Sequence, residues 1–225
     1  MTDSVKLSLS AAELQLVCNK DWILTKQIII EKVYLLFGIV SQKMQQCILA
    51  HNSLLPAVIA ESSPKIARGE NYRGLPYVML DYPRHFKKAD TLAIRTLFWW
   101  GNFFSINLHL SGIYKENALP ILAANFDLLQ QQGYYLCIHP NPWEHHFEED
   151  NYRPLKNYLA ADFAVLVQQM DFIKIALPIP LQQWEFVPTL LEQHFGILVA
   201  ALLKINFPSD GKDPLPGIPI VGSGL

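Results

Sequence analysis

The chain alternates between apolar and polar side chains along one short segment. From Phe104 to Ser111 the apolar positions are Phe104, Ile106, Leu108 and Leu110, and the polar positions are Ser105, Asn107, His109 and Ser111. Successive side chains of a β-strand point to opposite faces of a sheet. This period of two therefore predicts a strand with one face on the core and the other face polar.

The composition limits the class of protein. The chain has 225 residues, enough for one large domain, and it is 51% hydrophobic and 17% charged. Its formal net charge of −2 argues against a nucleic-acid partner, because phosphate binding needs clustered lysines and arginines. The longest apolar run, residues 195–203, is about half the length of a membrane span, so no membrane partner is expected.

The cysteines and the first residues favour a cytoplasmic location. Cys18, Cys47 and Cys137 are an odd, widely spaced set, typical of reduced thiols. The first ten residues lack the apolar run of a signal peptide.

The N-terminal region is predicted to be helical. Ser10 and Glu13 have the spacing of a capping box, and a long helix should run from Trp22 to Asn52. Its buried stripe repeats every seven residues: Ile23, Ile30, Phe37 and Met44. Ile28, Ile29, Leu35 and Leu36 extend the apolar surface beyond that stripe, which makes this helix a candidate homodimer contact.

The rest of the chain predicts an α+β fold. Four strands are expected, at residues 77–82, 103–111, 134–139 and 172–177, with helices near residues 88–99, 116–132, 155–170 and 189–203. Residues 62–76 and 140–154 are predicted to be loops. Because the strands mix polar and apolar residues, we expect a small, mainly antiparallel sheet packed against helices and preceded by a helical N-terminal subdomain.

One compact unit is expected for residues 1–225. It would consist of a helical subdomain over residues 1–61, an α+β body over residues 62–206 and an extended tail, rich in proline and glycine, over residues 207–225.

The polar face of the predicted sheet is the candidate site. The acid–base candidates on or next to it are His109, His139 and Asp81, with Asp81 orienting a histidine. The candidates for holding a small anionic ligand are Arg73, Arg84, Arg95, Asn107 and Trp100. The competing interpretation is an exposed polar sheet face with ordinary hydrogen bonds, which alternation alone also predicts.

The histidine-rich stretch from His139 to Asp150 has residue types that suit a transition metal. Its spacing does not match a known ligand set, because His145 and His146 are neighbours and no His-x-x-x-His is present. The sequence therefore predicts no metal ligand and no cofactor. Cys137 and His139, about 7 Å apart along a strand, are too distant to act as a nucleophile and its base.

Three functions remain open. The favoured one is a binding or interaction module with a polar small-molecule pocket on the sheet face. The alternative is an enzyme that acts on a small anionic substrate through histidine and aspartate acid–base chemistry. The third is a metal-dependent hydrolase that uses His139, His145 and His146.

Overall fold

The computed structural model describes residues 7–51, 54–87 and 89–203. The helices are α1 (Ala11–Cys18), α2 (Lys20–Ala50), α3 (Ala57–Ala60), α4 (Ile113–Ala124), α5 (Phe126–Gln131), α6 (Ala160–Gln169) and α7 (Val187–Leu202). The strands are β1 (Lys65–Tyr72), β2 (Leu75–Phe86), β3 (Thr91–Trp99), β4 (Phe103–Ser111), β5 (Tyr135–Cys137), β6 (Tyr152–Pro154) and β7 (Phe172–Pro180). The predicted tail over residues 207–225 lies outside the described ranges.

The seven strands form one antiparallel sheet in the order β1-β2-β3-β4-β7-β5-β6. The α+β class and the antiparallel pairing agree with the prediction, but the expected four strands undercount the sheet. Strand β4 is confirmed from Phe103 to Ser111 and pairs along its whole length with β3 and β7.

The largest correction concerns residues 91–99, which form β3 and not a helix. Every residue of β3 except Arg95 is buried, because strands flank it and both faces of the sheet are covered there. Ala93, Leu97 and Trp99 share the face of Arg95, so polar residues do not recur at every second position of β3 as they do in β4. The apolar run of β3 therefore cannot be distinguished by period from a helix.

Two edge strands were also missed. Residues 65–72, expected as a loop, form β1, and Tyr152–Pro154 forms β6. Both strands are held by backbone pairing to one neighbour, which requires no particular side-chain pattern. In β1, a Cβ at position 69 would overlap the ring of Tyr77, so a residue larger than Gly69 would require that ring to move.

The helices cover one face of the sheet. The predicted long helix is α2, and its buried stripe lies against β2 and α7. The stripe includes the predicted Ile30, Phe37 and Met44, but the prediction is wrong for Ile23, which is 49% exposed because it precedes the part of α2 that packs on the sheet. Phe37 of α2 contacts Phe104 of β4 with ring centroids 6.1 Å apart, and Tyr82 stacks on Phe195 of α7 at 6.2 Å. The capping box of α1 is present, since the Glu13 carboxylate accepts from the Ser10 amide at 2.7 Å. One hydrophobic core therefore joins α2, the sheet and α7.

The predicted helix over residues 116–132 is two helices, α4 and α5, which meet at Asn125. Among the helices of the described ranges, none has both the length and the hydropathy of a membrane span.

Candidate functional site

The register of the central strands places four predicted site residues on the same face of the sheet. Asp81 of β2 lies opposite Arg95 of β3, and Arg95 lies opposite Asn107 of β4. His109 of β4 lies opposite Lys174 of β7. This face points away from the helices, and residues 138–151, here named the covering loop, pack onto it through Pro142, Trp143 and His145.

Asp81 and Arg95 form a two-pronged ion pair. Arg95 Nε donates to Asp81 Oδ1 at 2.6 Å, and Arg95 Nη2 donates to Asp81 Oδ2 at 2.9 Å. Both side chains are nearly buried, with 12% and 13% of their surfaces exposed. The guanidinium also lies 5.6 Å from the ring of Trp143 and 5.8 Å from that of Phe86. Arg95 therefore pairs with Asp81 inside the protein and also contacts one aromatic ring of the covering loop and one of the sheet.

Lys174 ties the covering loop to the sheet. Its side chain is buried, and Nζ donates to the backbone carbonyls of Pro142 at 2.8 Å and Glu144 at 2.6 Å. Burial lowers the pKa of Lys174 to about 7. The two carbonyls favour the charged form, because they accept hydrogen bonds from the ammonium.

His145 lies between two cations. Its Nδ1 is 3.3 Å from Lys174 Nζ, and its Nε2 is 3.4 Å from Arg95 Nη1. A neutral imidazole accepts at one nitrogen only, so one of these contacts is a close approach without a hydrogen bond. Burial and the two cations hold the pKa of His145 well below its ordinary value.

Tyr72 is a second anchor of the covering loop. Its hydroxyl accepts from the amides of His145 at 2.7 Å and His146 at 3.1 Å, and it donates to Glu144 at 3.0 Å. Asn151 holds the C-terminal end of the covering loop, because its side chain donates to the carbonyl of His146. Nothing in the sequence around Tyr72 or Asn151 indicated these roles, since both depend on the approach of distant backbone.

The space left inside the cluster is small. A cavity of about 10 Å³ lies between Arg95, Asn107, His109, His145 and Lys174, under Pro142. This volume is about enough for one water molecule. The polar face is therefore not the exposed surface that alternation alone predicts, and the space over it is much smaller than a small-molecule pocket. The covering loop buries it because the loop's carbonyls and aromatic rings give its charged groups partners.

Five predicted site residues do not line this cavity: Asp81 is linked to it only through its ion pair with Arg95, and the other four lie apart. His139 accepts from the amide of Asn141 at 3.0 Å through Nδ1. Arg73 pairs with Glu148 at 2.8 Å, and Arg84 donates to the carbonyl of Ser63 at 3.0 Å. Trp100 packs on Phe98 of the helix-covered face and on Trp22 of α2. The residues that the fold does bring together are Asp81, Arg95, Asn107 and His109.

His109 provides a test of the cluster through pH. Its ring lies between Trp143 and Phe172, with centroids 5.6 Å and 5.5 Å away. Burial, and then the charges of Lys174 and Arg95, lower the pKa of His109 from 6.5 to about 3. Between these two values the unfolded chain binds a proton that the folded chain does not. Stability is therefore lost as the pH falls from 6.5 toward 3.

We expect His109 alone to lower the free energy of unfolding by about 2 kcal/mol between pH 7 and pH 5, and His145 to add to this loss. The measurement is urea unfolding at each pH, together with the ring proton shifts of His109 by NMR. The His109→Gln variant should show a shallower pH dependence. A His109 ring that titrates near pH 6 in the folded protein would contradict the expected burial.

The chain matches no protein-family model, and comparison with curated proteins and with solved structures also gives no match.

Proposed function

We propose that this protein is an interaction module that self-associates through α1 and the outward side of α2. The observation that carries the proposal is an apolar surface on these two helices that the rest of the described chain leaves uncovered. The partner is a second copy of the same chain.

Helix α2 has two apolar stripes. The inner stripe packs on the sheet and on α7, as described above. The outer stripe consists of Leu24, Ile28, Leu35, Ile39 and Leu49, which are 50–70% exposed. At 100° per residue, these five positions fall within an arc of about 80° on the side opposite the inner stripe. Between these positions three exposed polar residues, Glu31, Gln42 and Gln46, fall in the same arc, so the stripe is interrupted but mainly apolar. An exposed, mainly apolar stripe of this kind is typical of a contact surface.

Helix α1 adds a second uncovered surface. It buries no residue, and Leu14, Leu16 and Val17 are 54–70% exposed. An open groove of about 710 Å³ lies where α1 meets α2, lined by apolar side chains that include Leu16, Trp22 and Leu24. An isolated eight-residue helix is marginal in water, so α1 needs a packing partner to be stable.

A second copy satisfies both surfaces at once. The apolar side chains of α1 are not buried by any other part of the described chain, and the outer stripe of α2 is likewise uncovered. In a two-fold symmetric dimer each surface is presented twice and can cover the other. At roughly 100 Å² per side chain, the eight exposed residues total on the order of 800 Å², and each partner of a standard interface contributes about this area. The total is an upper limit, because Leu14 and Leu16 point to nearly opposite sides of α1.

The geometry gives less support to an enzyme acting on a small anion. The cationic groups of the polar cluster, Arg95 and Lys174, already have internal partners. The cavity between them holds about one water molecule, so a substrate would enter only if the covering loop moved away.

Sedimentation velocity at micromolar concentrations tests the proposal. We expect the unchanged protein to be a dimer and Leu35→Glu to weaken the dimer at least about 30-fold, because the carboxylate would be buried without a partner. Leu16→Glu in α1 should have a similar effect. Leu159→Glu is the matched control, since Leu159 is 72% exposed and precedes α6, away from both helices.

Three outcomes would refute self-association through this surface. The first is a monomeric unchanged protein over the whole concentration range. The second is a dimer that survives both Leu35→Glu and Leu16→Glu. The third is equal weakening by Leu159→Glu. Thermal unfolding at low concentration verifies that each variant is folded.

A further inference from the structure

His146 carries a buried nitrogen without a hydrogen-bond partner in the part of the chain that the structure describes. Its side chain is 2% exposed, and Nδ1 faces two carboxylates on the outer side of the covering loop. Nδ1 lies 3.5 Å from Glu148 Oε2 and 3.8 Å from Asp150 Oδ1. Such distances are too long for normal hydrogen bonds, and a buried polar atom without a partner needs an explanation.

The same distances suit the spacing of ligands around one metal ion. Nitrogen and oxygen ligands lie about 2.1 Å from Zn²⁺, which places neighbouring tetrahedral ligand atoms ~3.4 Å apart. One ligand atom from each of His146, Glu148 and Asp150 lies within 4.8 Å of the others. A small inward movement of the two carboxylates would complete the triangle around an ion.

The rest of the imidazole is already positioned for this role. Its Nε2 lies 3.6 Å from Glu144 Oε2, and the Tyr72 hydroxyl donates to that same oxygen at 3.0 Å. The backbone of His146 is held by Tyr72 and Asn151. If a metal ion takes the lone pair of Nδ1, the ring proton lies on Nε2, where it faces the Glu144 carboxylate.

The carboxylates leave the site open to solvent. The side chains of Glu148 and Asp150 are 64% and 66% exposed. An ion can therefore reach the buried imidazole from outside the loop and keep water on its remaining positions. The other histidines of the stretch are not available in the same way, because His145 faces two cations and His139 accepts from a backbone amide.

Arg73 occupies part of the site. Its Nη1 donates at 2.8 Å to Glu148 Oε2, the oxygen that also faces His146. A bound cation would compete with this guanidinium for the carboxylate, so Arg73 should weaken metal binding. Arg73 has a φ of 50°, which asparagine adopts readily, so Arg73→Asn removes the charge without straining the turn.

We infer that His146, Glu148 and Asp150 form a binding site for one divalent transition-metal ion, with Zn²⁺ as its best match. A single imidazole with two carboxylates is a nitrogen and oxygen ligand set that suits Zn²⁺, whereas Mg²⁺ and Ca²⁺ prefer all-oxygen sites. The site is independent of the proposed dimer surface, which lies on α1 and α2.

Calorimetric titration of the full chain with Zn²⁺ and Co²⁺ tests the site. The titration uses a Cys18→Ser background, because Cys18 is an exposed free cysteine and thiolates are good Zn²⁺ ligands. We expect one ion per chain, and we expect the double variant Glu148→Gln/Asp150→Asn to lose at least about 100-fold in affinity. Both substitutions are isosteric and exposed, so the fold should be retained.

Two further variants complete the design. Glu149→Gln removes the exposed carboxylate between the two ligands and should change the affinity less than about twofold. Arg73→Asn should raise the affinity several-fold. Long-range nitrogen NMR of His146 should show the metal on Nδ1. Absence of binding by the background protein, retained affinity in the double variant, or equal loss in Glu149→Gln would each overturn the assignment.

Discussion

Replacing Arg95 by leucine should lower the free energy of unfolding by about 3 kcal/mol. The substitution removes both hydrogen bonds that Asp81 receives and leaves its carboxylate nearly buried without a cation. It also removes the guanidinium from the rings of Phe86 and Trp143, so the covering loop loses one of its contacts with the sheet. Equilibrium unfolding in urea measures the difference.

Two controls separate the ion pair from other effects. In the double variant Asp81→Leu/Arg95→Leu no charge remains without a partner, so we expect it to be more stable than Arg95→Leu. Lys43→Met removes one member of the pair with Glu192, whose side chains are 46% and 48% exposed, and should change the stability by less than about 0.5 kcal/mol. An Arg95→Leu variant as stable as Lys43→Met would show that the buried pair does not hold this face together.

Replacing Phe37 by alanine should cost about 3–5 kcal/mol. Phe37 is fully buried and contacts Phe104 of β4, so its loss leaves a cavity between α2 and the sheet. The surroundings cannot collapse into this space without moving the whole helix, because the same stripe of α2 also packs on α7.

Unfolding in urea measures the effect of Phe37→Ala at a concentration at which any dimer has dissociated. Val165→Ala on α6 is the control, since Val165 is 57% exposed and should change the stability by less than about 0.5 kcal/mol. If α2 were a separate subdomain with its own stability, Phe37→Ala would unfold the helix without lowering the stability of the sheet. Hydrogen exchange of the β4 amides distinguishes these outcomes, because a joint core predicts faster exchange in β4 as well.

Prediction succeeded where one face of an element is apolar and the other is not. The alternation in β4 and the seven-residue stripe of α2 both belong to elements with two distinct sides. It failed for β3, whose two sides both carry mainly apolar residues, and for β1 and β6, which are held by backbone pairing. In these three strands the decisive interactions come from neighbours and not from the period of their own side chains.

For the candidate site, too, part was predictable from the sequence and part depended on the tertiary structure. The strand period by itself put Asp81, Asn107 and His109 on the polar face of the predicted sheet, because neighbouring side chains in a strand must point to opposite sides. Only the tertiary structure decided what lies over that face. The groups that anchor the covering loop are backbone carbonyls of Pro142 and Glu144 and the hydroxyl of Tyr72. Backbone carbonyls are present at every residue, so no sequence pattern marks the two that accept from Lys174. Their approach closed the polar face and left Nδ1 of His146 facing the two carboxylates on the outer side of the loop.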